Sequence, residues 1–210
     1  MSLAQALVDG LHALKLPFPD AARAKLLEYL ALVDKWNRVY NLTAVREREK
    51  MLAHHVLDSL AVAPHLTGTT LLDVGSGAGL PGVPLALARP GSAVTLLEAN
   101  HKKATFLKQA AIELELANVE VVNARVEGWE APRRYDVVIS RAFSDLAEFV
   151  GLAARHCADG GVLAAMKGVH PYEELAQLPA PYRASAVIPL TVPGLNAERH
   201  LVLVQRASER

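Results

Sequence analysis

The chain has 210 residues and a mass of 22.6 kDa, long enough for one core plus an appendage, with no need of disulfide or metal staples. Apolar residues make up 51% and charged residues 21%, which excludes a disordered or collagen-like chain, and no apolar run reaches the length of a membrane span. Lys plus Arg equals Asp plus Glu at 22 each, so any nucleic-acid-binding surface has to be local. In chain order, the N-terminus (MSLAQALVDG) lacks the basic segment of a secretory signal, so a cytoplasmic chain is expected. Leu3, Leu7, Leu11 and Leu14 fall on one face of a first helix, which Pro17 and Pro19 stop. Asp20 reads as the N-cap of a second helix, with Leu26, Leu27, Leu30 and Val33 as its apolar stripe toward Trp36 and Tyr40. A third helix is expected to place Leu52, His55, Val56, Ser59, Leu60 and Ala63 on one face and to end before Pro64.

From residue 69 the period changes. Short apolar runs at 71–74, 93–98, 119–122, 135–139 and 162–166 alternate with helical stretches such as 102–116 and 145–156. That alternation predicts an α/β fold with a parallel sheet covered on both faces. The runs 184–190 and 200–204 are joined by a link too short for a helical crossover, so the sheet is expected to end in an antiparallel pair. The chain therefore divides into a helical extension, residues 1–68, packed on a core of residues 69–210.

The strongest chemical pattern is Asp73-Val74-Gly75-Ser76-Gly77-Ala78-Gly79-Leu80, with Glu98 at the end of the next strand. Glycines at a strand-to-helix turn let the backbone approach a ligand at the carboxyl edge of the sheet. A carboxylate at the tip of the second strand suits ribose hydroxyls, so the pattern describes a nucleoside site. The run Gly77 to Gly82 also spells G-x-G-x-x-G. Pro81 removes an amide that a dinucleotide loop would offer, and Asp73 stands where a nicotinamide fingerprint has an apolar residue. A carboxylate there suits a cationic ligand such as S-adenosylmethionine. At the other strand ends lie Asn123, Arg125 and Glu127, then Ser140 and Arg141, then Lys167. Val126 and Glu127 are placed to read an adenine edge, while Arg141 and Lys167 put positive charge beside the reacting centre.

Other residues read as structural. His54, His55 and Asp58 lack a third ligand pattern, so core or boundary histidines are expected and no metal site. Cys157, the only cysteine, is expected late in a helix, far from any strand tip. Arg133 and Arg134 read as loop solvation.

Six segments carry a family resemblance: WNRVYNLTAV (36–45), HHVLDSL (54–60), LLDVGSGAGLPGVPLA (71–86), SRAF (140–143), MKG (166–168) and ERHLV (198–202). Together they resemble the ribosomal RNA small subunit methyltransferase G family, also called glucose-inhibited division protein B, along essentially the whole chain. The resemblance implies a Rossmann-like class I methyltransferase sheet of about seven strands with the last antiparallel. It also implies cytoplasmic, S-adenosylmethionine-dependent rRNA methylation at N7 of one guanine of 16S ribosomal RNA, on the small ribosomal subunit. By motif the donor contacts fall on Gly75, Gly77, Leu80, Glu98, Val126, Glu127 and Arg141. Substrate contacts are expected at Arg141, Lys167 and Arg199, with His200 beside them and Phe143 available to stack on a base. No general base is needed, because guanine N7 has a free lone pair. With ionisable groups at their ordinary values, little pH dependence is expected between about 6.5 and 8.5. A metal-free monomer is expected. A same-fold methyltransferase acting on a small molecule, and an RNA-binding ribosome-assembly factor, remain open alternatives.

Overall fold

The alternating runs after residue 69 form a single seven-stranded sheet in a computed structural model that describes residues 2–207. Met1 and residues 208–210, the outer ends of the two expected segments, lie outside the described residues. The strands are β1 (Thr70–Val74), β2 (Ala93–Leu97), β3 (Val119–Val122), β4 (Tyr135–Ser140), β5 (Cys157–Lys167), β6 (Tyr182–Pro189) and β7 (His200–Arg206). Their spatial order is β3-β2-β1-β4-β5-β7-β6. Strands β1 to β5 pair in parallel, and β7 is antiparallel to both of its neighbours. The last strand thus inserts between β5 and β6. Lys167 and His200 stand side by side at the carboxyl edge as a result.

Before the sheet come α1 (Leu3–Ala13), α2 (Asp20–Tyr40), α3 (Arg48–Met51) and α4 (Asp58–Leu60). Ser2 caps α1 by accepting the Gln5 amide. Asp20 is not the cap of α2: it lies inside the first turn, and Pro19 holds the cap position without a side-chain bond. The expected third helix is interrupted, because Leu52–Leu57 winds as a wide π-helical turn between α3 and α4. Such turns often mark functional positions. Here the His54 carbonyl accepts a hydrogen bond from Arg141 at 3.0 Å.

After β1 the chain forms α5 (Gly82–Ala88), then α6 (His101–Glu113), α7 (Leu146–Ala153) and α8 (Tyr172–Ala176) between the later strands. Asn100 caps α6 by accepting the amides of Lys102 and Lys103, and Asp145 caps α7 through the Glu148 amide. The helix expected over 145–156 ends at Ala153, and β5 begins at Cys157. Cys157 therefore opens a strand at the amino edge of the sheet instead of ending a helix. Burial pushes its thiol up to about 11.

One apolar core runs from Leu7, Leu26 and Leu30 of the first two helices through Leu71, Leu85 and Phe106 to Leu201. A second lies on the opposite face under α7. The helices before residue 68 share the first core, so burial of their apolar stripes holds them against the sheet. Tyr29 of α2 is fully buried and its hydroxyl donates to the Ala78 carbonyl at 2.7 Å. The helical segment in this way grips the glycine loop directly.

Candidate active site

The glycine loop leaves β1 at Val74 and turns over the end of β2. Gly75 and Ser76 both donate their amides to the Leu97 carbonyl, at 2.8 and 3.1 Å. Gly77 donates to Glu98 Oε2 at 2.7 Å, and Asn100 donates to Glu98 Oε1 at 2.7 Å. Glu98 is buried, yet both its oxygens are held by backbone amides, which fixes the carboxylate at the strand tip. Leu80 is buried in the core and its amide donates to the Ser76 carbonyl.

Two glycines are required by space. Gly75 has φ +72°, and a Cβ there would lie 2.9 Å from the Ala142 Cβ, so the loops after β1 and β4 touch at this point. A Cβ on Gly82 would lie 2.2 Å from a Leu96 methyl and 2.7 Å from Asp73 Oδ2. That close approach lets the Gly82 amide donate to Asp73 Oδ2 at 2.9 Å.

Asp73 is fully buried, and its second oxygen, Oδ1, has no hydrogen-bond partner. Desolvation pushes its carboxyl up to about 7, against the Gly82 hydrogen bond and the Arg141 charge, which favour the ionised form. A buried acceptor left unmatched costs on the order of 1–3 kcal/mol. It is the kind of group a bound cation or donor would satisfy. This departs from the expectation that every carboxylate at the site keeps its ordinary value. Charge at Asp73 changes near neutral pH.

After β3 the loop places Val126 and Glu127 differently. Val126 is buried and its carbonyl accepts from the Arg155 guanidinium, whereas Glu127 is exposed. The structure therefore joins Asp73, Gly75, Gly77 and Glu98 in one bonded unit across β1 and β2. Val126 and Glu127 sit on the neighbouring strand end.

Next to this unit is a cavity of about 370 Å³ whose wall includes His54, His55, Asp58, Arg141, Lys167 and Arg199. Asp58 is its centre. The carboxylate is 1% exposed and takes Arg199 Nε on Oδ1 at 3.0 Å and Arg141 on Oδ2 at 3.3 Å. Residues from α4, the β4 tip and the start of β7 are thus tied together by one buried acid. Sequence reasoning weighed Asp58 only as a metal ligand and missed this bridge.

Lys167, expected to face the substrate, is fully engaged. Its ammonium donates to the Ser144 carbonyl at 2.7 Å, to Glu174 of α8 at 2.6 Å and, more weakly, to the Phe143 carbonyl at 3.4 Å. Glu174 was not singled out from sequence. It also accepts the Leu146 amide at 2.8 Å, so it ties α8 to the start of α7. Phe143 is half-buried: its ring packs 5.4 Å from Phe149 and borders the second core.

His55 is a buried core histidine. Its Nε2 pairs with Thr43 Oγ1 at 2.9 Å, and burial together with the Arg141 charge pushes its pKa down to about 4, so the ring is neutral. Among the described residues no cluster of three or more His, Cys, Asp or Glu has a metal-holding arrangement.

The fold and the sequence have counterparts among known proteins. The chain resembles the O-methyltransferase TomG of Streptomyces achromogenes, solved in complex with SAM, with TM-score 0.61 and 16% identity over 99% of this chain and 100% of that one. It resembles the putative methyltransferase yhhF of Escherichia coli with TM-score 0.56 and 20% identity over 73% and 87% of the two chains. Both likenesses concern the fold. In sequence, the chain is 57% identical over 216 residues to the ribosomal RNA small subunit methyltransferase G of Nitrosospira multiformis, covering 100% of each protein. It is 57% identical over 202 residues to the protein of that name from Laribacter hongkongensis, covering 96% and 98%. The family model for rRNA small subunit methyltransferase G (GidB) matches residues 22–202. The chain belongs to the rRNA small subunit methyltransferase G family.

Proposed function

We propose that this chain methylates N7 of one guanine of 16S ribosomal RNA, in the small ribosomal subunit, with S-adenosylmethionine as donor. The observation that carries the reading is the placement, side by side on one sheet edge, of the Asp73–glycine–Glu98 cradle and a cavity bearing three cationic side chains. The cradle fits the donor: the Asp73 Oδ1 is an unmatched buried acceptor for a cationic group, and Glu98 is fixed where ribose hydroxyls can reach it. When bound, the donor supplies an electrophilic methyl group on a sulfonium, released to an acceptor lone pair as a neutral thioether leaves.

Asp58 and Lys167 suit an acceptor that carries no proton. Asp58 is saturated by two guanidiniums, and Lys167 is committed to Glu174 and two carbonyls. None of these is a free base. Guanine N7 needs none, so position and exclusion of water supply the acceleration. Methylated at N7, guanine carries a positive charge, and unshielded arginines beside it would oppose the reaction. Asp58 offsets part of that charge while it aims Arg141 and Arg199 at O6 or a phosphate. Lys167 is assigned to the same substrate side.

Methyl transfer from tritiated donor to small subunits from a strain lacking the enzyme, followed by base analysis, tests the reading. Label recovered as 7-methylguanine is the expected result. Label on an exocyclic amine or on a pyrimidine carbon overturns it. The enzyme is further read as a cytoplasmic, metal-free monomer.

A further inference from the structure

The four exposed large apolar side chains among the described residues are Val39, Ile112, Val169 and Tyr172. Two of them stand within four residues of each other, directly after the β5 tip. Tyr172 is 75% exposed although it opens α8, which Glu174 ties to the Leu146 amide and to Lys167. Its ring lies 3.9 Å from the His170 ring, at 31° between planes. His170 in turn meets the edge of His200 at 5.3 Å, and His200 Nδ1 is bonded to the Gly168 carbonyl at 2.9 Å. The three rings form a row fixed to the start of β7. One face of Tyr172 is occupied by His170, and its exposure leaves the other face open to solvent.

This row borders a second cavity, of about 500 Å³, whose wall includes Val169, His170, Tyr172, Glu198, Arg199 and His200. Arg199 also lines the cavity that holds Asp58, so the two share a wall. A nucleotide next to a base seated in the first cavity would meet the second. Unpaired bases bind aromatic faces by stacking, which is tolerant of base identity, and Arg199 supplies a cation for the adjoining phosphate. Glu198 is the one acid of the wall. It disfavours a phosphate at its own position and so directs the backbone to the Arg199 side.

We infer that Tyr172 is a stacking platform for an unpaired RNA base flanking the target guanine, an inference that rests on the RNA-methyltransferase reading above.

The test is steady-state methyl transfer to unmethylated small subunits by the wild-type chain, Tyr172→Ala and Tyr172→Phe, with donor affinity measured alongside. Tyr172→Ala is expected to raise KM for the subunit about tenfold with kcat and donor Kd unchanged, and Tyr172→Phe to stay within about twofold of wild type. A photo-crosslinking residue at 172 is expected to attach to 16S RNA. An unchanged KM in Tyr172→Ala, failure of Tyr172→Phe to restore it, or an adduct on a ribosomal protein overturns the platform. If the wild-type chain itself places no methyl on guanine N7, the functional reading falls, and that result is distinct from any effect at Tyr172.

Discussion

Asp73→Asn separates the cost of the buried carboxyl from its use. The side chain is wholly inside the protein, with one oxygen on the Gly82 amide and the other unmatched, and desolvation pushes its carboxyl up to about 7 from 3.8. A raised value means that the folded chain holds a proton which the unfolded chain releases near pH 4. The stability linked to that proton is fully present below about pH 4, falls as the pH rises through 7, and is then gone. Each unit within that window is worth about 1.4 kcal/mol, so the ligand-free chain loses about 3 kcal/mol between pH 5 and pH 8 through this group. Asparagine has the same shape, keeps an acceptor for Gly82 and does not titrate. Urea unfolding of both chains across pH 5 to 8 should therefore show the variant gaining about 3 kcal/mol on the wild type as the pH rises. Calorimetry with S-adenosylhomocysteine should show wild-type affinity weakening below pH 7, where Asp73 is protonated, and a weak affinity without that slope in the variant. Stability curves that stay parallel from pH 5 to pH 8 would refute the raised value. Undiminished donor binding in Asp73→Asn would refute its role toward a cationic ligand.

Other consequences follow from the bonds around the two cavities. Tyr29→Phe removes the hydroxyl that holds the Ala78 carbonyl, so it should cost about 1–2 kcal/mol in urea unfolding and weaken donor binding, although Tyr29 belongs to α2. Asp58→Asn keeps the shape but leaves Arg141 and Arg199 without their counter-charge. It should lower stability by about 2 kcal/mol, less than for a fully buried pair because both guanidiniums are partly exposed, and reduce methyl transfer while S-adenosylhomocysteine affinity stays near wild type. Chelation should leave the transfer rate unchanged on small subunits prefolded with magnesium that is then held constant. A rate restored only by added metal would contradict the proton-free, metal-free chemistry proposed for N7.

What was legible in the sequence is what local geometry encodes. The apolar runs and their helical spacers predict a mainly parallel sheet because each strand and the helix after it are written consecutively. The contacts of the glycine loop were equally plain, since Asp73, the glycines and Glu98 lie on one strand-turn-helix-strand unit whose members touch through adjacent strands. The limits of each element were less so: β5 begins five residues early and takes Cys157 with it, because pairing with β4 extends a strand past its apolar run. The cavity around Asp58 depended on the tertiary structure. Asp58 meets Arg141 across 83 residues and Arg199 across 141, and Tyr29 reaches Ala78 across 49. No periodicity or spacing records such separations. Whether a side chain faces solvent or a neighbour was likewise undecided, so the packing of Phe143 on Phe149 was not foreseen and Tyr172 drew no notice. The insertion of β7 between β5 and β6 set His200 beside Lys167 and brought Arg199 into the walls of both cavities. The chain's order thus carried the glycine loop between Asp73 and Glu98, and the packing of distant segments made the cavity around Asp58.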